Sequence, residues 1–313
     1  MKKHLTIIFM GTPEFAVPSL LALHAGGHDV SLVVTQPDRP KGRGKKMAEP
    51  PVKRAADSLG YPVVQPKSLK DPHIAHHLKS LKPDVFVVVA YGHILSRDIL
   101  DIPTFGAINL HASILPKYRG PAPIQWAIIN REKVTGVTAM FMDAGMDTGD
   151  ILSIEKVPIR PDDTAATLHD TLAQKGADLL IETLARIQED SIQRHPQDHN
   201  QATYAPLLKK EDGRIDWHES AVHIDAFVRG MSPWPGAFTF YEGQRLKIFS
   251  VQPVQRDFTA PPGTIIKSFP GELAVATGQG ALLIRQLQGA SGKRLDIKDF
   301  LRGHPMPPGA RLE

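Results

Sequence analysis

An unbroken apolar run in the first third of the chain most constrains the fold. Residues 85–90 are Val-Phe-Val-Val-Val-Ala, with no polar residue at any alternate position. A strand with one solvated face alternates apolar and polar residues, whereas a strand covered on both faces is apolar throughout. The run therefore predicts a central strand of a parallel sheet that carries helices on both faces.

Strands and helices alternate around this run. We predict strands at residues 4–10, 30–35, 107–110 and 136–142, and helices at residues 15–23, 52–59, 122–130 and 164–187. This alternation over residues 1–188 indicates an α/β fold, a doubly wound, mostly parallel sheet of Rossmann-like type. Ligands of such folds bind beyond the carboxyl ends of the strands, so Gly11, Tyr91 and His111 should converge on one crevice. Thr12 is the expected cap of the first helix.

The pattern changes in the last third of the chain. Residues 189–208 are predominantly polar, and we predict a linker there. A predicted helix at 221–228 then precedes short strand-like runs at residues 237–241, 246–254, 264–267, 273–276 and 281–287. Gly, Pro and polar turns separate these runs, which indicates a small antiparallel, OB-like β-barrel over residues 209–313.

Composition excludes several classes of function. The 313-residue chain has no cysteine, so disulfides, thiolate catalysis and cysteine-based metal sites are excluded. The histidines have no metal-ligand spacing, and no metal is expected. No apolar run reaches the roughly 18 residues of a membrane span, and the N-terminal apolar run is too short for a secretory signal. We therefore expect a cytoplasmic protein without a membrane segment.

Positive charge is concentrated in one loop. The net charge is only +4, but residues 36–54 contain seven lysines and arginines against two acids. The seven are Arg39, Lys41, Arg43, Lys45, Lys46, Lys53 and Arg54. Prolines and glycines fix bends between these cations. The loop is therefore either a solvated charged segment or an arm that binds nucleic-acid phosphates.

Asn109 and His111 stand two residues apart where a predicted strand ends. Alternation along a strand places both side chains on the same face. An amide and an imidazole side by side can donate two hydrogen bonds to one oxygen, which makes an oxyanion hole from side chains. From the spacing alone a structural role remains open, in which Asn109 closes a turn and His111 caps a helix.

A carboxylate flanked by glycines is the third candidate. Asp147 lies between Gly145 and Gly149, which allow the backbone to turn sharply and bring the carboxylate close to a ligand. Near His111 it would orient the imidazole ring, as the carboxylate of a catalytic triad does. An ordinary turn aspartate is the alternative role. The spacing also leaves two other carboxylates open, those of Asp143 and Asp150.

Motifs along nearly the whole chain resemble the methionyl-tRNA formyltransferase family. In the first domain they are residues 9–16 (FMGTPEFA), 35–46 (TQPDRPKGRGKK), 89–92 (VAYG), 109–120 (NLHASILPKYRG) and 142–149 (MDAGMDTG). Beyond the linker they are residues 214–217 (RIDW), 233–235 (PWP) and 262–265 (PGTI). Residues 109–116 alone mark the wider folate-dependent formyltransferase superfamily, and the basic loop and second domain narrow the resemblance.

The resemblance implies roles for particular residues. It implies a catalytic trio of Asn109, His111 and Asp147, and so favours Asp147 over its neighbours. It implies a tetrahydrofolate-binding loop at Ser113, Ile114, Leu115 and Pro116, and a pterin pocket lined by Tyr91, Gly92, Ile94 and Leu95. It further implies contacts between the basic loop and a tRNA acceptor stem, through Arg39, Lys41, Arg43, Lys45 and Lys46.

The resemblance also implies a reaction. We expect formyl transfer from the co-substrate 10-formyltetrahydrofolate to the α-amino group of initiator methionyl-tRNA, by a monomer with a catalytic domain at 1–188 and a tRNA-binding barrel at 209–313. Two other functions remain open. One is formylation of a small amine, such as a sugar nucleotide or glycinamide ribonucleotide, which would not require the basic loop and barrel. The other is RNA binding without catalysis, against which the intact trio argues.

Overall fold

The computed structural model describes residues 5–41, 44, 46–254, 259–269, 272–290 and 292–313. Within them the chain forms two units, each with its own sheet and core. The first contains the stretch up to Pro123 together with Val134–Pro158 and His169–Ala205. The second contains Ile124–Lys133, Ile159–Leu168 and Pro206–Glu313.

A seven-stranded sheet forms the first unit. The strands before the second unit's sheet are β1 (Thr6–Gly11), β2 (Asp29–Val34), β3 (Arg39–Lys41), β4 (Lys46–Ala48), β5 (Val63–Val64), β6 (Val85–Val89), β7 (Ala107–His111), β8 (Val134–Phe141) and β9 (Ile151–Pro158). The sheet order is β5-β2-β1-β6-β7-β8-β9, and β3 pairs separately with β4. The first five strands of this order are parallel, and β8 and β9 are antiparallel. The predicted mostly parallel α/β sheet is confirmed.

Helices pack around these strands because the central strands are apolar on both faces. Every residue of β6 is buried, as the sequence predicts. Within the described residues, the helices in chain order are α1 (Val17–Ala25), α2 (Pro51–Ser58), α3 (Pro72–Ser80), α4 (Arg97–Leu100), α5 (Pro123–Ile129), α6 (Ala165–Gln188), α7 (Ala221–Gly230) and α8 (Ile297–Gly303). Of these, α7, α8 and all of α5 except Pro123 belong to the second unit. The prediction that Thr12 caps the first helix is wrong. A short 3-10 turn, Glu14–Ala16, precedes α1, and the Thr12 hydroxyl donates to the Tyr91 carbonyl instead.

An antiparallel sheet forms the core of the second unit. Its strands are β10 (Phe238–Tyr241), β11 (Gln244–Val254), β12 (Ile265–Phe269), β13 (Glu272–Ala276), β14 (Ala281–Gln288) and β15 (Leu295–Asp296). The order is β10-β11-β14-β13-β12, and β15 pairs with β14. Ile248, Val275 and Leu287 are fully or nearly fully buried on this sheet. The five predicted strands are confirmed, and the curled sheet fits the predicted OB-like fold.

Two properties concern the described residues as a whole. None of their helices combines the length and apolar character needed to cross a bilayer. No three of their His, Asp or Glu side chains gather as they would around a metal ion.

Candidate active site

The carboxyl ends of three parallel strands meet at one edge of the first sheet. β1 pairs with β6 up to Gly11 and Val89, and β6 pairs in turn with β7. Beyond these ends, Thr12 Oγ1 lies 3.1 Å from the Tyr91 carbonyl oxygen and donates to it. The loops after β1 and β6 therefore converge beside the end of β7, where His111 is the last residue.

The His111 ring lies between a carbonyl oxygen, to which it is hydrogen-bonded, and a carboxylate. Its Nε2 lies 2.9 Å from the Tyr118 carbonyl oxygen, and its Nδ1 lies 3.6 Å from Asp147 Oδ2. A carbonyl oxygen can only accept, so Nε2 carries a hydrogen. The imidazole is buried, with 6% of the residue's surface exposed. The structure thus brings together two members of the predicted trio.

Asn109 lies two residues earlier and, by strand alternation, on the same face of β7. It is half-buried, and its side-chain amide has no hydrogen-bond partner within the part of the chain that is described. Two amide hydrogens are thus available to an oxygen placed at this face. Because Asn109 pairs inside a strand and His111 ends one, neither residue closes a turn or caps a helix.

A backbone hydrogen bond fixes the Asp147 carboxylate. Its Oδ2 accepts a hydrogen bond from the Gly120 backbone N–H at 2.8 Å. Asp147 itself has a φ of 54°, in the left-handed region that costs energy for a residue with a Cβ. The Asp143 carboxylate is used within its own loop, where Oδ1 accepts from Gly145 N and Thr148 Oγ1. Geometry therefore separates Asp147 from Asp143.

The glycines around Asp147 are required for close packing. A Cβ on Gly145 would collide with Thr148 Oγ1, and a Cβ on Gly149 would collide with the Phe141 carbonyl oxygen. Neither glycine has a positive φ, so the sharp turn predicted for them occurs at Asp147 instead. Any side chain at these glycines would displace the loop that carries the carboxylate.

The predicted folate loop is tied to β8. Ser113 is fully buried, and its hydroxyl donates to the Lys117 carbonyl at 2.6 Å. Thr138 Oγ1 donates to the Ser113 carbonyl at 2.7 Å and accepts from Leu115 N at 3.2 Å. Ile114 lies against Gly136 of the same strand, where an added Cβ would come within 3.1 Å of it. These contacts fix the loop's backbone against the sheet.

The predicted pterin-pocket residues divide into two groups. Tyr91 and Leu95 pack into the apolar core of the first unit, whereas Ile94 is 89% exposed. The Tyr91 hydroxyl is buried with no hydrogen-bond partner among the described residues, and this burial raises the pKa of Tyr91 to about 12. Gly92 has a φ of 83° and lies against the Gln36 amide. The exposed and backbone groups of this segment are therefore the ones a ligand can contact.

The basic loop begins and ends as a short hairpin, in which β3 pairs with β4. Arg39 Nη2 donates to Gln36 Oε1, and the exposed Lys46 has no acidic partner among the described residues. The other predicted contacts lie outside the described residues, namely Arg43, Lys45 and the side chain of Lys41. The hairpin thus presents two cations that no acid in the described structure neutralises.

Lys53 and Arg54, two further cations of the loop region, are paired. Arg54 Nη2 lies 3.2 Å from Glu14 Oε1. Lys53 Nζ lies 2.9 Å from Glu49 and 3.3 Å from Asp38. A hydrogen bond from Gln65, reinforced by Lys53, lowers the pKa of Asp38. Within the described structure, Lys53 is therefore neutralised by acids, unlike Arg39 and Lys46.

Sequence reasoning missed two residues that support the trio. Arg119 was part of the motif at residues 109–120, but no role followed from its type. Gln197 lies in the predicted linker, where nothing in the local pattern distinguishes it. In the structure Gln197 is buried, and it bonds both to Arg119 and to the loop that carries Asp147.

Comparison with known families agrees with this architecture. Residues 3–184 match the family described as formyl transferase. Residues 207–305 match the family described as formyl transferase, C-terminal domain. Both matched segments therefore belong to the same class of enzyme.

Relatives match the chain over nearly its full length. The methionyl-tRNA formyltransferase of Pelotomaculum thermopropionicum is 51% identical over 307 residues, which cover 98% of both chains. That of Acetivibrio thermocellus is 49% identical, covering 98% of this chain and 99% of its own. Among solved structures, the sugar 3N-formyl transferase WlaRD, determined with dTDP and 5-N-formyl-THF, has a TM-score of 0.69 at 19% identity. It covers 93% of this chain and 100% of its own, and the likeness concerns the fold.

Proposed function

This chain belongs to the methionyl-tRNA formyltransferase family, and on that premise we propose that Asn109, His111 and Asp147 carry out its reaction. The enzyme transfers the formyl group of 10-formyltetrahydrofolate to the α-amino group of methionyl initiator tRNA. The amine nitrogen bonds to the formyl carbon, the bond between that carbon and N10 breaks, and one proton passes from the amine to N10. The products are tetrahydrofolate and N-formylmethionyl-tRNA, which is used to initiate translation.

The attacking amine needs little activation. An α-amino group titrates near pH 8 or just below, and esterification of the carboxyl group lowers this value further. Much of the amine is thus neutral at neutral pH, so a strong base is not required. Catalysis then depends on stabilising the oxyanion that forms at the formyl oxygen.

Asn109 and His111 supply donors for this oxyanion. The Asn109 amide is unpartnered within the described structure, so it loses no protein hydrogen bond when it binds the oxygen. The Tyr118 carbonyl keeps a hydrogen on His111 Nε2, the same hydrogen that the oxyanion would receive. We propose that His111 exchanges this carbonyl for the oxyanion, because hydrogen bonds in a free enzyme often rearrange in the reacting complex.

Asp147 fixes the other side of the ring. Its Oδ2 faces His111 Nδ1 and is itself held by Gly120 N–H. A carboxylate in this position limits rotation of the imidazole and stabilises positive charge on it. We propose that Asp147 also guides the proton from the amine to N10 through a water molecule.

Substrate contacts follow from the surrounding surface. We propose that residues 113–116 and the segment containing Gly92 and Ile94 hold the folate, since the first is fixed to β8 and the second offers exposed and backbone groups. Arg39 and Lys46, with Lys41, Arg43 and Lys45, would bind tRNA phosphates, and the C-terminal barrel would also bind the tRNA. We also propose a monomeric enzyme in the cytoplasm, where initiator tRNA is charged and used.

The observation that carries this proposal is the placement of His111 between the Tyr118 carbonyl and Asp147, beside the free Asn109 amide. The test is to incubate the protein with 10-formyltetrahydrofolate and three acceptors in parallel. These are methionine-charged initiator tRNA, glycinamide ribonucleotide and an amino-sugar nucleotide. Formylation of the charged tRNA alone is expected. Formylation of a small amine alone, or of none of the acceptors, would contradict the proposal.

A further inference from the structure

A buried arginine lies next to the trio without an acidic partner. Arg119 is 2% exposed, and no carboxylate among the described residues pairs with it. Its Nε and Nη2 both donate to Gln197 Oε1, at 3.1 and 2.6 Å. Nη2 also lies 3.2 Å from His199 Nδ1, which can only act as an acceptor there. Burying a guanidinium is costly, so a position satisfied by neutral groups alone calls for an explanation.

Gln197 connects Arg119 to the loop that carries Asp147. A guanidinium can only donate, so the Gln197 oxygen faces Arg119 and its nitrogen faces the other way. That nitrogen donates to the Asp147 carbonyl at 2.9 Å and to the Gly149 carbonyl at 2.7 Å. Both hydrogens of one amide are thus used to hold the backbone on either side of the loop's turn.

The backbone on either side of Arg119 contacts His111 and Asp147. Tyr118 gives its carbonyl to His111, and Gly120 gives its N–H to Asp147. Tyr118 has a φ of 61°, in the left-handed region that is strained for a residue with a Cβ, and Gly120 has a φ of 113°, which glycine adopts readily. Arg119 itself is paired by its backbone with Thr203 and Ala205, at 2.8 and 2.7 Å.

We propose that Arg119 and Gln197 are positioning residues that set the separation of His111 and Asp147. Arg119 anchors residues 118–120, which contact both members of the pair, and Gln197 ties that anchor to the Asp147 backbone. The two therefore act on the reaction through the backbone that holds His111 and Asp147. This inference rests on the proposed function, because it assigns a role within the same site.

The test variant removes the N–H donor of the Gln197 side chain and keeps an oxygen acceptor. In Gln197→Glu, one carboxylate oxygen still accepts from Arg119, while the other faces the Asp147 and Gly149 carbonyls and repels them. A displacement of about 1 Å in such a site can lower turnover about 10²-fold, and we expect a fall in kcat of that order with KM for both substrates changed less than about threefold. The matched control is Gln201→Glu, at an exposed glutamine of the same segment, where kcat should stay unchanged.

A double-mutant cycle distinguishes positioning from general stability. If Gln197 acts through Asp147, then Gln197→Glu combined with Asp147→Asn should turn over as slowly as Asp147→Asn alone. Losses that multiply, or a wild-type kcat in folded Gln197→Glu, would overturn the inference. If Gln197→Glu fails to fold, Gln197→Met serves in the same cycle. It adds no charge, but it removes the acceptor of Arg119 as well as the donor to the Asp147 loop. Failure of the wild-type protein to formylate charged tRNA would instead contradict the proposed function.

Discussion

At the scale of single residues, the site depends on which hydrogen-bonding groups the protein satisfies and which it leaves available. Asn109 lies in a paired strand with a free amide, whereas His111, Asp147 and Arg119 have partners fixed by the surrounding loops. Free donors next to rigid neighbours suit a charge that exists only during the reaction. Residue types and their spacing made Asn109, His111 and Asp147 candidates, and the family resemblance implied the trio, but neither could predict which donors would be free.

Replacing Asn109 by alanine tests the oxyanion role. Asn109→Ala should lower kcat by about 10² to 10³, because one preorganised donor to the oxyanion is lost. Single-turnover formylation of charged tRNA measures the effect. Asn200→Ala, at an exposed asparagine, is the control and should match the wild type. Near wild-type turnover in Asn109→Ala would contradict the assignment.

The buried Tyr91 hydroxyl predicts a loss of stability in alkali. Burial favours the neutral phenol, so between pH 10 and 12 the unfolded chain releases a proton that the folded protein retains. Stability contributed by Tyr91 is therefore complete below pH 10 and falls as the pH rises. At pH 11 the loss should be about 1 kcal/mol. Burial also raises the pKa values of Tyr61 and Tyr241, so both proteins should lose stability in alkali. Urea unfolding at pH 8 and 11 should show a loss that is larger by about 1 kcal/mol in the wild type than in Tyr91→Phe.

At the scale of elements, local pattern predicts strands well and the connections between them poorly. β6 and the strand ending at His111 follow from apolar runs, and α6 follows from its long periodic face. β9 was missed because its outer residues are only half-buried and its alternation is weak. The role of Gln197 depends on a contact with a carbonyl 50 residues away, which no local pattern contains.

The basic loop should affect tRNA binding and not the chemical step. Arg43→Ala and Lys45→Ala should each raise KM for charged tRNA. In a plot of log KM against log salt concentration, each variant should reduce the slope by about 1. The reason is that binding with one phosphate contact fewer releases about one counterion fewer. KM for 10-formyltetrahydrofolate should not change. Lys175→Ala, at a lysine of α6 already paired with Glu155, is the control. An unchanged slope in both variants would contradict a role for the loop in tRNA binding.

At the scale of the whole molecule, each of the two units is built from several separate stretches of the chain. Residues 124–133 and 159–168 belong with the C-terminal part of the chain, although they lie within the predicted catalytic domain. Trp126 Nε1 donates to the Pro206 carbonyl, and Arg229 donates to the Asp163 carbonyl, both at 2.9 Å. The predicted domain boundaries at residues 188 and 208 stay a prediction. They lie where the composition becomes polar, and composition does not show which side chains pack together.

A fragment cut at the predicted boundary tests this arrangement. Residues 1–188 alone would keep Ile128 and Ile129, which are almost fully buried in the intact chain. Ile129 packs against Gly230, which the fragment lacks. Exposing such side chains costs roughly 2 kcal/mol each. The fragment should bind an apolar dye and melt at a lower temperature than the full chain, and an equal melting temperature without dye binding would contradict this expectation.

The Gln197 bridge also affects how the enzyme is made. A nascent chain that ends shortly after residue 150 already contains Asn109, His111 and Asp147, but it lacks the amide that holds the Asp147 loop. Because chains emerge from the ribosome with the N-terminus first, the loop cannot reach its final position until residue 197 has emerged. Completion of the loop that carries Asp147 therefore comes well after synthesis of the strand that carries Asn109 and His111.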